Sequence, residues 1–184
     1  RAFSKGLSLP VPETYTDSNL RDVILDLILS NIGLESNSSL NFSLMMLGLS
    51  GSRQNCFNVI LDLVADVDFV MNPSTSSMAT KCFELIFRVC ELGSRRALPE
   101  LARAQQIYLT EKLRRSNFWH SQAVRYMGQR GGSAPSILHE VSRYFRYDQD
   151  QDAKISKRNN DVLHSMAWLL KGLAVEMRFL MNAQ

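Results

Sequence analysis

Ser76 to Glu91, SSMATKCFELIFRVCE, is the stretch that decides the fold class. Met78, Cys82, Leu85, Ile86 and Val89 recur at the spacing of one helix face, and Phe83, Phe87 and Cys90 form a second apolar row beside it. Only Lys81, Glu84, Arg88 and Glu91 are left for water, a stripe too thin for a helix that covers a core with one face. Such a helix is expected to be packed on more than one side. Glu84 and Arg88 stand at i,i+4, a pairing worth ~0.2–0.5 kcal/mol. The Asn72-Pro73 break precedes the run, and Ser76 or Ser77 is placed to cap it.

The same design repeats to either side. Residues 1–16, with Gly6, Pro10 and Pro12, read as an extended lead-in. Asp17 or Ser18 then caps a helix in which Leu20, Val23, Ile24, Leu27 and Ile28 form one row and Leu25, Leu29 and Ile32 another, leaving a polar stripe of Asp22, Asp26 and Ser30 before Gly33 stops it. Ser38 to Leu47 is a short helix ended by Gly48, and Asn55 to Asp66 another. A further helix runs from about Leu98 to Arg115, with Pro99 in its first turn. Residues 117–158 read as an irregular excursion broken by Gly128, Gly131, Gly132 and Pro135, with one short helix at Ile137 to Tyr144 and a solvated acidic tract at Asp148 to Asp152. The last helix spans about Asn159 to Asn182, with Val162, Met166, Leu169, Leu170, Leu173 and Met177 on its buried side.

Helix starts near 18, 39, 54, 76 and 98 set alternate starts roughly 36–44 residues apart, close to the ~40–47 of HEAT and armadillo repeats. The expected fold is all-α: an irregular α-solenoid of antiparallel helix pairs, about six to eight helices forming one unit over 1–184. A compact helical bundle is the competing arrangement.

Composition narrows the function classes. A chain of 184 residues with 45% hydrophobic content can bury one substantial core. Its longest apolar runs fall far short of the ~20 residues of a membrane span, so no transmembrane segment is expected. The chain opens on Arg1 without a signal pattern, which reads as an excised piece of a longer protein. Cys56, Cys82 and Cys90, odd in number and set within apolar periodicity, suit a reducing compartment better than a disulfide framework. A net charge of +3 is too weak to imply nucleic acid unless concentrated on one face.

No pattern of reactive residues points to an enzyme. His120, His139 and His164 are far apart, no CxxC is present, and the Gly131-Gly132 pair lacks the lysine and hydroxyl of a phosphate loop. No catalytic residue, metal, cofactor or small-molecule substrate is expected. The one candidate interaction surface is basic and aromatic: Arg114, Arg115, Phe118, Trp119, Arg125 and Tyr126. Read functionally, it is a ridge for an anionic or peptide partner, with stacking on the aromatics. Read structurally, the arginines line a solvated helix face and Phe118 and Trp119 pin the following segment to the core.

Several segments taken in order resemble the large α-solenoid nucleoporins of the nuclear pore inner ring. They are Leu47-Gly48-Leu49, CFNVIL at Cys56 to Leu61, CFELIFRVC at Cys82 to Cys90, LARAQQIYL at Leu101 to Leu109, and above all SMAWLLKGLAVEMR at Ser165 to Arg178, with Trp168, Lys171, Glu176 and Arg178. The resemblance spans roughly Leu40 to Arg178. It implies a scaffold segment of the nuclear pore complex, in the nuclear envelope of the nucleus, whose partners are other inner-ring nucleoporins presenting linker helices or short motifs. Those anchoring sites lie toward the ends of the family's proteins, and this chain resembles a central portion, so no binding residue is carried over. Leu49 stands where the family has an aromatic, and residues 117–157 have no counterpart. A transport-receptor-like HEAT-repeat module holding exchangeable cargo is the alternative reading, and nucleic-acid binding through Arg95 to Arg130 a third.

Overall fold

The computed structural model describes residues 15–32, 42–48, 55–72, 74–95, 100–128 and 153–182. Among them are eight α-helices and no strand. They are α1 (Tyr15–Ile32), α2 (Phe42–Gly48), α3 (Cys56–Ala65), α4 (Val67–Met71), α5 (Ser76–Arg95), α6 (Glu100–Arg115), α7 (Phe118–Gly128) and α8 (Ala153–Asn182). The protein is all-α.

The helix that decided the reading is the centre of the molecule. α5 packs against α8 most extensively, then α1 and α6, and also touches α3 and α4. Met78, Cys82, Leu85, Ile86 and Val89 are buried as one row, and Phe83, Phe87 and Cys90 as the other. A helix hemmed in on this many sides needs two apolar rows, which is why its sequence leaves so little for water. Ser76 lies inside the helix, where its hydroxyl sits 3.4 Å from Asp161 Oδ2 of α8.

Most of the two polar stripes is open to solvent as the sequence predicts: Asp26, Ser30 and Arg88 are exposed, and Glu84 pairs with Arg88 along α5. Lys81 is the exception, its Nζ reaching Asp22 Oδ1 at 3.0 Å and Asp26 at 2.8 Å and tying the two helices together. Burial desolvates the Lys81 ammonium and pulls its pKa down, but hydrogen bonds and charge from Asp26 and Asp22 outweigh this and leave it raised. α1 keeps Ile24, Leu25, Ile28 and Ile32 in the core and exposes Leu20, Val23 and Leu27. α5 is thus covered on several sides, and α1, packed against both α5 and α2, buries members of both rows while leaving part of one open.

Cap residues fix the smaller elements. Asn55 accepts a hydrogen bond from Asn58 N at 2.8 Å and starts α3. Asp66 closes α3 through its backbone N–H to Leu63 O and opens α4 by accepting from Asp68 N with its side chain. Asp17 and Ser18 are not caps, because both lie inside α1, which begins at Tyr15, so that residues 15 and 16 are helical and the rest of the expected lead-in lies outside the described residues.

The expected excursion over 117–158 is helical at both ends. Residues 118–128 form α7, and α8 begins at Ala153. The expected Ile137 to Tyr144 helix and the Asp148 to Asp152 tract lie outside the described residues. Asn117 takes the left-handed conformation (φ 45°) that redirects the chain from α6 into α7, a role asparagine tolerates better than most residues. Aromatic contacts join α7 to the hub: the Trp119 ring lies 6.4 Å from that of Phe83, and Tyr126 meets Phe83 edge-on at 6.1 Å.

The buried side of α8 is in part the one its hydrophobic residues suggest. Leu169 is buried and Leu173 packs against the core as expected, joined by Ser165 and by Gly172, which Trp119 closes over, whereas Leu170 and Met177 point outward. Small residues let the helices approach closely, and the polar ones are satisfied. Thr80 Oγ1 of α5 donates to Asp161 O at 2.9 Å and sits 2.8 Å from Ser165 Oγ. Trp168 then packs on Phe87, with ring centroids 5.3 Å apart.

Candidate interaction surface

The six residues of the basic-aromatic ridge do not form one surface. Phe118 and Trp119 are only 6% and 2% exposed, stacked edge-on at 5.1 Å between α5, α6 and α8, so neither offers a face to a base or peptide. Arg114 and Arg115 are exposed but share one carboxylate: Arg114 Nη2 lies 2.7 Å and Arg115 Nε 3.0 Å from Glu111 Oε1. Hydrogen bonds from Arg114, then Arg115, hold the Glu111 carboxyl down at about 2. Arg125 and Tyr126 turn the other way. Arg125 donates to Ala65 O and Tyr126 to Val64 O at 3.0 Å, so both satisfy carbonyls at the C-terminal end of α3. The structural reading of these residues is the one the geometry supports.

The cysteines are interior filler. Burial pushes the Cys82 and Cys90 thiols up to about 12 and raises Cys56 as well. The Trp119 side chain hydrogen-bonds Cys90, which offsets a little of that rise. His120 and His164 are exposed, and His139 lies outside the described residues. Among the described residues no three His, Cys, Asp or Glu side chains converge to hold a metal ion, and no helix is long and apolar enough to cross a membrane.

A small cleft lies where α5, α6, α7 and α8 meet, lined by Cys90, Leu113, Trp119, Val175 and Glu176 among others. Its volume of about 20 Å³ admits a water molecule and no metabolite. Glu176 closes it. Its Oε2 accepts from the backbone N–H of His120 at 2.9 Å, so a carboxylate from α8 caps the first turn of α7. Its Oε1 is buried without a hydrogen-bond partner, and burial raises the carboxyl pKa despite that bond. Sequence reasoning missed this capping role, since the two residues are brought together only by the packing of α7 on α8.

Large apolar side chains are exposed on α1, α6 and α7 (Val23, Ile107 and Val124 among them) and on α8. α8 presents Ala167, Leu170, Ala174, Met177 and Met181 to solvent, with Met177 at 62% and Met181 at 74% exposure. Spacing alone reveals this row, but choosing it over the Ser165–Gly172 face requires knowing which side α5 takes. The chain matches no protein-family model, no curated protein and no solved structure.

Proposed function

We propose that the chain is a structural scaffold segment of the nuclear pore inner ring, acting by protein–protein contact as part of an irregular α-solenoid. The ordered resemblance to the inner-ring nucleoporins carries this reading, and its strongest segment, Ser165 to Arg178, carries most of it. The residues behind that resemblance have packing roles. Cys56, Phe57 and Ile60 are buried in α3, the Cys82–Cys90 run is the heart of α5, and Trp168, Glu176 and Gly172 each join α8 to another helix. A likeness concentrated in packing residues suits a shared fold and a supporting role. Deleting residues 15–182 from the full-length protein should leave a product that fails to enter the inner ring; normal incorporation would argue strongly against the reading.

The open apolar face of α8 favours a second reading, a HEAT-repeat module that holds exchangeable cargo in the manner of a transport receptor. Pull-down of a small GTPase or of Phe-Gly repeats would favour it. Stable co-purification with ring proteins would favour the scaffold.

A further inference from the structure

The outward face of α8 has a regular pattern. Leu163, Ala167, Leu170, Ala174, Met177 and Met181 are spaced by alternating steps of four and three, the heptad spacing of a seam that receives another helix. Leu163, Leu170 and Met177 are the large members, and Ala167 and Ala174 the small ones that let a second helix lie close. Of these, all but the half-buried Leu163 are exposed.

The two edges of the seam differ. On one edge stand His164, Lys171 and Arg178, one per heptad, and none makes an ion pair among the described residues. Lys171 is held there by Trp168, whose ring lies 4.0 Å beneath the ammonium. On the other edge stand Met166, Leu173 and Leu180, all apolar, of which Leu173 packs against the core, Met166 is half-buried and Leu180 is exposed. The seam is thus basic along one border and apolar along the other.

The geometry points to a docking surface for an amphipathic helix that carries a row of carboxylates along one edge of its apolar stripe. A second copy of this chain fits poorly. Packed antiparallel, the two basic rows would face each other; packed parallel, each would face an apolar row, and in neither case does a carboxylate arrive. The inference does not depend on the nuclear-pore reading, since it uses only α8.

The test uses the chain with two fluorescent 28-residue helical peptides that have Leu at their a and d positions. One carries Glu, the other Lys, along one edge, and anisotropy is read at low and high salt. The acidic peptide should bind at one per chain, at least ten times tighter than the basic one, with the margin shrinking as salt rises. Met177→Asp should abolish binding of both, and His164→Glu with Arg178→Glu, which leaves the Lys171–Trp168 contact intact, should invert the preference. All three positions are exposed, and unchanged thermal unfolding of each variant checks that the fold is kept. Equal binding of the two peptides, binding by neither, or indifference to both sets of substitutions would overturn the proposal. So would concentration-dependent dimerisation that Met177→Asp abolishes, which would assign the face to a second copy.

Discussion

Gly172→Ala is the most demanding test of how α8 sits on the molecule. A methyl added at Gly172 would lie 2.1 Å from Trp119 Cδ2, 2.3 Å from Cε3 and 2.4 Å from Cε2. Carbon atoms settle at roughly 3.5–4.0 Å, so ring and helix must part by about 1.5 Å. Trp119 has little room to yield, being buried against Phe83 and Phe118 and hydrogen-bonded to Cys90. Overpacking of this kind costs about 1–3 kcal/mol, against which the better helix propensity of alanine returns up to about 1 kcal/mol. The net expectation is a loss of about 1–2 kcal/mol, or ~2–8 °C in Tm for a chain of this size. Urea unfolding followed by far-UV circular dichroism measures it without relying on the indole. The decisive arm is the Trp119→Leu background. With the ring gone, Gly172→Ala should become neutral or stabilising by up to about 1 kcal/mol, although Trp119→Leu is itself destabilising. If Gly172→Ala stabilises the parent chain, or costs the same in both backgrounds, α8 does not pack on Trp119 as described.

Other expectations follow from the same contacts. Glu176→Gln removes a carboxyl whose folded pKa is raised, which favours the fold below the ordinary glutamate range and loses that advantage as pH rises through the raised value. The stability of the parent chain relative to Glu176→Gln should therefore rise on acidification from pH 7 to 4, and a flat or falling difference in denaturant titrations would contradict the assignment. Glu176→Ala should cost about 0.5–2 kcal/mol by uncapping α7. Lys81→Ala should cost about 1–2 kcal/mol, because it removes two partly exposed ion pairs and leaves Asp22 and Asp26 as an i,i+4 like-charge pair; high salt should narrow the deficit in thermal melts. Cys82 and Cys90 should resist a thiol reagent at pH 8 until denaturant unfolds the chain, and prompt labelling of the native protein would show that α5 is not enclosed.

Much of the fold was legible because α5 announces itself. Two adjacent apolar rows with a four-residue polar remainder leave few arrangements other than a central helix, and Asn55 marks the start of α3 by chemistry that needs no tertiary help. α7 was harder to see. Its eleven residues lie between the Ser116-Asn117 turn and Gly128, and Phe118 and Trp119 read equally well as a loop anchored to the core. The buried face of α8 was legible only in part, at Leu169 and Leu173, for a different reason. Hydropathy favours Leu170 and Met177, but α5 and Trp119 select Ser165 and Gly172, where small size and a satisfied hydroxyl outweigh apolar area. On α1, Asp22 and Asp26 read only as a solvent stripe, because nothing local shows that Lys81, 55 to 59 residues away, reaches across from α5 to pair with them. The candidate ridge is divided partly on the same ground: Glu111 pairs Arg114 and Arg115 locally along α6, but the burial of Phe118 and Trp119 and the bonds of Arg125 and Tyr126 to α3 carbonyls are contacts that only the fold creates.

The most direct measurement of the scaffold reading is cross-linking mass spectrometry on the full-length protein within intact nuclear envelopes. Lys81, Lys112 and Lys171 provide amine sites on three different helices of this segment. The account predicts reproducible cross-links from them to other inner-ring nucleoporins. A protein found away from the envelope, or one whose cross-links from these lysines reach no pore component, would contradict it.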